Sequence, residues 1–248
     1  MWQAAASATS DSPAVRELDY EVVNTYPHRS GAFTQGLMFY QGFLWEGTGQ
    51  HGRSSVAKIR LKDGVVLASQ HLPARYFGEG ITLFNGRLLQ LTWKAQTLFV
   101  YDAATLKKLS TLPYRGEGWG LTHNGEQLIV SDGSSSLQFR SAQDFSLESI
   151  LHVHENSIPS KNLNELEWVE GLVLANVWQS DWIVVIDPSS GAVVAKLDLS
   201  ALRKEQGRRA DVLNGIAWRN DTQTLLVTGK YWRTLYEIRV LPALPKLQ

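Results

Sequence analysis

The 248-residue sequence contains no cysteine, so disulfide bonds and thiolate metal sites are excluded. It also has no apolar run near the roughly 18 residues that a membrane-spanning helix requires. Net charge is absent as well, because 24 basic residues balance 24 acidic ones. Nucleic acids and anionic membranes attract basic surfaces, so we expect neither as a partner.

The N-terminal stretch MWQAAASATSDSPA is small and polar. It has neither the basic segment nor the apolar segment of a secretion signal. We therefore expect residues 1–16 to be a disordered leader, either a plain flexible terminus or the remainder of a cleaved secretion signal. The second alternative predicts an extracytoplasmic protein, periplasmic or secreted. Residues 17–248 are expected to form a single domain.

Helical periodicity is missing too, apart from SALRKEQGRR (200–209), which predicts a short helical turn. The sequence has a repeat instead. A polar or aromatic residue, a small or acidic residue and an apolar residue open a short strand at intervals of 40 to 50 residues. The copies are QGLMF from Gln35, EGITL from Glu79, WGLTH from Trp119, NELEW from Asn164 and NGIAW from Asn214.

Each copy is followed by a turn and a second strand, and the turns FNGR and HNGE carry the Asn-Gly pair of a β-hairpin. Third strands follow in every unit and fourth strands in most. Five units of about 45 residues predict an all-β fold, a five-bladed β-propeller with four-stranded antiparallel blades. The last unit lacks a clean fourth strand, and we expect LDYEVVNTYPH (18–28) to supply it and close the ring. A closed ring leaves few free edges, which favours a monomer.

Such a blade predicts where side chains gather. The start of the first strand lies beside the end of the second, because the two form an antiparallel hairpin along the central channel. The second-strand ends are Thr48, Trp93, Asp132, Trp178 and Lys230. With the five residues that open the repeats, they offer polar groups inside an aromatic wall, which is typical of a small-ligand site. Each residue alone also fits a structural role, such as a core tryptophan or a turn-forming Asp132.

Glu79 lies between two glycines in GEGIT (78–82). Glycine permits close backbone approach at a crowded axis. A carboxyl group held there beside Trp93 would be partly desolvated, which raises its pKa toward the range useful for acid–base catalysis, and a nearby Lys230 would oppose that rise. A second GEG, at 116–118, places Glu117 two residues before the repeat position, so we expect Glu117 on the approach loop rather than at the channel mouth.

Nine motifs occur in one order between about residue 20 and about residue 240. They are FTQGL (33–37), EGTG (46–49), GEGIT (78–82), QLTW (90–93), EGWGLT (117–122), NELE (164–167), ANVW (175–178), VLNGIAW (212–218) and VTGKYW (227–232). In this order they resemble the plant-type glutaminyl-peptide cyclotransferases of plants and bacteria. The resemblance implies a five-bladed propeller that converts an N-terminal glutamine of a peptide into pyroglutamate and releases ammonia.

The resemblance also implies roles. Glu79 is implied as the catalytic acid–base, and the implied substrate pocket consists of Phe33, Gln35, Trp93, Trp119, Asn164, Trp178 and Lys230. Chemically, the α-amine of the substrate can attack its own γ-carboxamide while Glu79 carries the proton, and Asn164 and Lys230 can stabilise the oxyanion. No metal, cofactor or covalent intermediate is needed, and the expected partners are peptides or proteins with N-terminal glutamine.

Two alternatives stay open at this point. A metal-dependent propeller hydrolase, such as a lactonase, would use Glu79, Asp132, Asn164 and Asn214 around a cation. A non-catalytic propeller would bind other proteins through its outer faces and would have a featureless channel mouth.

Overall fold

The computed structural model describes residues 15–246, and nearly all regular structure in this part of the chain is β-strand. The described residues contain one short helix, α1 (Ser200–Lys204), inside the stretch for which the sequence predicts a helical turn. No helix within residues 15–246 has the length and apolar character needed to cross a membrane. Residues 1–14, most of the expected leader, lie outside the described residues.

After an N-terminal strand, β1 (Arg16–Pro27), the strands form antiparallel groups in chain order. The first group is β2 (Thr34–Tyr40), β3 (Phe43–Thr48), β4 (Ser55–Arg60) and β5 (Val65–His71). The second is β6 (Gly78–Phe84), β7 (Arg87–Thr92), β8 (Thr97–Asp102) and β9 (Lys108–Pro113). The third is β10 (Leu121–His123), β11 (Gln127–Ser131), β12 (Ser136–Ser141) and β13 (Leu147–His152).

A two-stranded hairpin follows, formed by β14 (His154–Glu155) and β15 (Ile158–Pro159). The remaining strands are β16 (Leu163–Val169), β17 (Leu172–Val177), β18 (Trp182–Ile186), β19 (Val193–Asp198), β20 (Leu213–Arg219), β21 (Thr224–Gly229) and β22 (Thr234–Leu241). With β1 they form one eight-stranded sheet in the order β16-β17-β18-β19-β1-β22-β21-β20. Strands β16–β19 are the fourth group, and β20–β22 with β1 are the fifth and last. The predictions of an all-β protein and of four-stranded antiparallel groups are confirmed.

The predicted hairpins form because their turn residues reach left-handed backbone angles. Asn85 and Gly86, which link β6 to β7, have φ angles of 49° and 73°. A two-residue loop with both φ angles positive matches the right-handed twist of the strands it joins. Phe84 and Arg87 therefore pair directly on either side of the turn.

Strand β1 connects the two halves of the eight-stranded sheet. Its first residues, Arg16–Leu18, pair in parallel with β19. From Asp19 to Pro27 it pairs antiparallel with β22, and so it supplies the fourth strand of the last group, as the sequence predicts. The strand begins at Arg16, the last residue of the expected leader, whose backbone is paired with Ala195.

The first strands of the groups contact one another in a cycle: β2 with β6, β6 with β10, β10 with β16, β16 with β20, and β20 with β2. Glycine makes this approach close. A Cβ atom at Gly36 would lie 2.5 Å from the backbone nitrogen of Ile81, and one at Gly80 would lie 2.5 Å from that of Leu121. The glycine after Glu79 is therefore required by the neighbouring strand.

The core lies between successive groups rather than at one centre. Among the described residues, five clusters of buried apolar side chains each join a group to the next, and the last joins β20–β22 back to β2–β4. As a result, β6, β7 and β8 are buried on both faces, whereas the outermost strand β9 is exposed.

The pairing of the first and second strands slips at the start of several groups. Gly78 pairs with Thr92, but the next pair is Ile81 with Gln90, so two residues of β6 lie in a β-bulge. The same slip occurs at the start of β16 and β20, and a related irregularity occurs in β2. Bulges redirect side chains and concentrate beside active sites. Here the displaced residues are Gln35, Glu79, Asn164 and Asn214, together with the residues that follow three of them.

The fourth group has a glutamate where the others have glycine after the repeat-opening residue. Glu165 extends across the ring of first strands and accepts hydrogen bonds from the backbone nitrogens of Leu37, at 3.1 Å, and Ile216, at 2.8 Å. Burial raises the pKa of this carboxyl group well above its usual value, and the nearby Glu167 raises it further. Glu165 thus accepts hydrogen bonds from backbone N–H groups of the first strands β2 and β20.

Candidate active site

A cavity of about 300 Å³ opens where β2, β6 and β16 begin. The sequence-predicted site residues that line it are Phe33, Gln35, Glu79, Trp93, Trp119, Asn164, Trp178 and Lys230. Four further residues complete its wall: Phe77, Gln179, Asp211 and Val212. Every residue proposed for catalysis or substrate binding therefore faces the same space.

Strand ends and bulges bring these side chains together. Trp93, Trp178 and Lys230 each follow the last residue of a second strand, namely β7, β17 and β21. Gly78 pairs with Thr92, and Trp93 N donates to Phe77 O at 3.0 Å, so Trp93 lies opposite Phe77, two residues before Glu79. Leu163 pairs with Val177, and Trp178 N donates to Asn162 O at 2.8 Å, so Trp178 lies opposite Asn162, two residues before Asn164.

Three of the ten predicted rim residues do not line the cavity. Asn214 is buried, and its Nδ2 atom donates to the carbonyl oxygen of Thr34 at 2.9 Å and to Gln35 Oε1 at 3.1 Å. Thr48 bonds with the hydroxyl group of Ser55. Asp132 is a turn former, as its own sequence context allows, because it accepts from the backbone of Ser134.

The repeat position of the third group is also displaced. Trp119 was expected to open a first strand, but β10 begins at Leu121. The backbone of Trp119 nevertheless lies between the neighbouring strands β11 and β6. Its nitrogen donates to Ser131 O at 2.9 Å, and its oxygen accepts from Gly80 N at 2.7 Å. Trp119 therefore reaches the cavity from a loop that is hydrogen-bonded to both neighbours.

Glu79 is 3% exposed. Burial raises the pKa of its carboxyl group well above the usual value, the charge of Lys230 and a hydrogen bond with Gln35 oppose this, and Glu117 adds to it. Among the residues that line the cavity, Glu79 Oε2 and Asn164 Oδ1 are buried without a hydrogen-bond partner. Buried polar atoms are nearly always paired in folded proteins, so these two atoms are suited to receive donors from a bound ligand.

Lys230 lies on the same wall and is 4% exposed. Its Nζ atom lies 4.5 Å from the ring centre of Phe33. Burial lowers the pKa of this ammonium group, while the negative charges of Glu79 and Asp211 oppose the change. Burial thus favours the neutral form at both Glu79 and Lys230, and each group retains the other as a counter-charge.

Aromatic rings make up much of the remaining wall. Phe77 meets Phe33 edge-on at 5.9 Å between ring centres and Trp93 at 5.7 Å. On the other side, Trp119 and Trp178 are perpendicular with centres 5.5 Å apart. Edge-to-face contacts of this kind hold each ring in a defined orientation.

Within residues 15–246, no group of three or more His, Asp or Glu side chains is arranged to hold a metal ion. Asp132 and Asn214, which a lactonase-like cation site would require, are bonded away from the cavity. Glu79 and Asn164 alone do not form such a ligand set.

Comparison with known proteins agrees with this geometry. The family model described as glutamine cyclotransferase matches residues 1–240. A glutaminyl-peptide cyclotransferase from Arabidopsis thaliana is 40% identical over 250 residues, covering 98% of this chain and 78% of the relative. The chain belongs to the glutamine cyclotransferase family.

A solved structure extends the likeness of this glutamine cyclotransferase family member to the fold. The crystal structure of Myxococcus xanthus glutaminyl cyclase superimposes with a TM-score of 0.86 at 33% sequence identity, over 91% of this chain and 98% of the other. At this level of identity, the similarity supports a shared arrangement of strands around the site.

Sequence reasoning missed some residues of this cyclotransferase cavity that the repeat could have revealed. Phe77 precedes Glu79 by two positions, as Phe33 precedes Gln35 and Val212 precedes Asn214. Extending each repeat two residues toward the N-terminus would have included all three. Gln179 and Asp211 had no such signal, because they lie beyond the second-strand end and in the connection before β20.

Proposed function

We propose that the chain cyclises the N-terminal glutamine of peptides and proteins to pyroglutamate with release of ammonia, and that Glu79 carries the proton. The observation that carries this proposal is a buried carboxyl group of raised pKa, with an unpartnered oxygen, on the wall of an aromatic cavity. Family membership supports the reaction, and the cavity of about 300 Å³ suits a single glutaminyl residue.

The substrate holds both reacting groups. Its neutral α-amine, of ordinary pKa about 7.7 to 8.0, attacks the carbon of its side-chain carboxamide, and the new C–N bond closes a five-membered ring. One oxygen of the Glu79 carboxyl group takes the proton from the attacking nitrogen, and the carboxyl group delivers a proton to the departing amide nitrogen. The C–NH₂ bond then breaks and ammonia leaves, so Glu79 ends as it began.

Fixed dipoles surround this carboxyl group. Asn214 donates to Gln35 Oε1, which leaves the amino end of the Gln35 side chain to donate toward Glu79. In this proposal, Lys230 and the carboxamide of Asn164 donate to the substrate carbonyl oxygen as it becomes an oxyanion. Donors that are held in position before the reaction stabilise such charge without reorganisation.

The indoles of Trp93, Trp119 and Trp178 act on substrate conformation. An extended glutamine side chain keeps the amine away from the carboxamide, whereas a folded one brings them into contact. A cavity walled by indoles that are locked edge-to-face favours the folded conformer, which supplies proximity rather than chemistry.

We propose further that the strand groups are five blades of one propeller domain. The cycle of contacts among the first strands and the five apolar clusters between successive groups support this arrangement. We also keep as proposals that the protein is a monomer and that it acts outside the cytoplasm. Light scattering of the purified protein and cell fractionation test these two points.

The test is an ammonia-release assay on a dipeptide that begins with glutamine, with wild type beside Glu79→Gln. We expect kcat/KM to fall by about 10² to 10⁴-fold, the usual value of a positioned acid–base. Glu126→Gln is the matched control, because it makes the same change in an exposed turn. A folded Glu79→Gln enzyme with near-normal turnover would exclude the proposed role, and loss of activity in EDTA would favour a metal-dependent mechanism.

A further inference from the structure

Glu117 joins two indoles of the cavity through a single oxygen atom. Trp93 Nε1 donates to Glu117 Oε2 at 2.6 Å, and Trp119 Nε1 donates to the same oxygen at 3.1 Å. The two tryptophans come from different strand groups, one after β7 and the other before β10. Glu117 itself lies outside the cavity wall, so it acts behind the surface that a substrate would touch.

We propose that Glu117 is a positioning residue, which fixes the spacing of Trp93 and Trp119 so that the cavity holds the folded glutamine side chain. This inference rests on the proposed function. It concerns binding geometry, and the proton transfer remains with Glu79.

The chemistry of the two indoles explains why a carboxylate suits this position. An indole N–H can only donate, so two of them can be joined only through a shared acceptor. A charged acceptor forms shorter and stronger bonds than a neutral one. The loop is also anchored beside its target, because Gly118 N donates to the carbonyl oxygen of Trp93 at 3.0 Å.

Lys94 completes the arrangement from the solvent side. Its Nζ atom lies 3.5 Å from Glu117 Oε1 and 4.1 Å from the ring centre of Trp93. The ammonium group therefore contacts both the carboxylate and one of the indoles it holds. The Lys94 side chain itself remains largely exposed.

Glu117 also acts on Glu79 through space, since its negative charge adds to the raised pKa of that carboxyl group. Two substitutions separate the effects. Glu117→Ala removes the acceptor and the charge, whereas Glu117→Gln removes the charge and keeps an amide oxygen that can accept from both indoles. Glu126→Gln, at an exposed glutamate that does not line the cavity, is the control for altered surface charge.

The experiment combines steady-state kinetics on a glutamine-initiated dipeptide with ¹H–¹⁵N spectra of the indole groups, assigned through Trp93→Phe and Trp119→Phe. For Glu117→Ala we expect both indole N–H signals to move upfield and KM to rise about tenfold, the order of one lost charge-assisted hydrogen bond. For Glu117→Gln we expect the indole signals to move less than in Glu117→Ala, because an amide oxygen still accepts but more weakly than a carboxylate, and KM to stay within about threefold. In both variants, the limb of the pH–kcat/KM profile that reports Glu79 should move to lower pH, because the negative charge that raises the pKa of Glu79 has been removed.

Unchanged indole signals in Glu117→Ala would overturn the proposal, and so would shifted signals with an unchanged KM. The spectra do not depend on turnover. If the wild-type enzyme released no ammonia, the proposed function would fail, while the indole signals would still report whether Glu117 holds the two rings.

Discussion

Asn214 Nδ2 lies 3.1 Å from Gln35 Oε1 and donates a hydrogen bond to it. These residues open the repeats of the last and first strand groups, 179 positions apart in the chain. Asn214 therefore contributes to the cavity indirectly, by setting which end of the Gln35 carboxamide faces Glu79. The contact exists because β20 and β2 are neighbours in the cycle of first strands.

The first prediction tests this contact. Asn214→Asp replaces a donor by an acceptor that faces two other acceptors, Thr34 O and Gln35 Oε1. We expect Gln35 to rotate and kcat/KM for glutamine-initiated dipeptides to fall about tenfold or more, the scale of a lost and replaced buried hydrogen bond. Asn220→Asp, on an exposed turn, is the control. Equal activity of the two variants would contradict the role of Asn214.

The second prediction concerns close packing at Gly80. Gly80→Ala would place a Cβ atom 2.5 Å from Leu121 N and 2.7 Å from Trp119 O, both backbone atoms that cannot move aside alone. We expect a loss of about 1 to 3 kcal/mol in the free energy of unfolding, measured with urea, because overpacking forces the backbone to shift. Gly31→Ala meets nothing within 4 Å and should be nearly neutral. A fully stable Gly80→Ala would disprove the close approach.

The third prediction concerns the carboxyl groups of Glu165 and Glu167 on strand β16. Burial raises the pKa of Glu167 from 4.5 to about 8, against opposing backbone hydrogen bonds from Trp218 and Trp168, and burial raises the pKa of Glu165 as well. Because the folded pKa is the higher one, the stabilising contribution is complete below about 4.5 and is lost as the pH rises toward about 8. Glu167→Gln should flatten this decline in urea unfolding between pH 5 and roughly pH 8. An unchanged slope would show that Glu167 does not titrate in this range.

The fourth prediction has the opposite sign and concerns Glu46. Burial raises the pKa of this carboxyl group, but His28 at 2.9 Å and Arg29 at 2.5 Å outweigh it and lower the pKa from 4.5 to about 2. The contribution of Glu46 to stability is therefore present above about 4.5 and lost as the pH falls toward about 2. Glu46→Gln should lower the free energy of unfolding by about 1 to 3 kcal/mol at neutral pH, because it removes the charged acceptor of the buried His28 and of the partly exposed Arg29.

Two measurements check the Glu46 prediction. Urea unfolding at neutral pH gives the loss, and the same titration in acid should show the variant and wild type converging. Glu126→Gln, in an exposed turn, should unfold like the wild type at both values. A gap that stays constant down to low pH would mean that the ionised form of Glu46 is not what stabilises the fold.

The local sequence pattern was sufficient to predict the strands and their hairpins. Alternation, Asn-Gly turns and a repeat of 40 to 50 residues act through neighbouring residues, so hairpins such as β6–β7 were predictable. That Glu79 and Trp93 lie at the same end of one hairpin followed from the strand register for the same reason. The eight candidate site residues were found by this register and by the family resemblance, and all of them line the cavity.

Contacts between strand groups determined which side chains face the cavity. Glu117 accepts from the indoles of two strand groups, and Asn214 donates to Gln35 across 179 positions of the chain. The sequence by itself determined which residues are available at each strand end. Only the tertiary structure decided which of them face the cavity, because hydrogen bonds and steric contacts between neighbouring groups select the direction of each side chain.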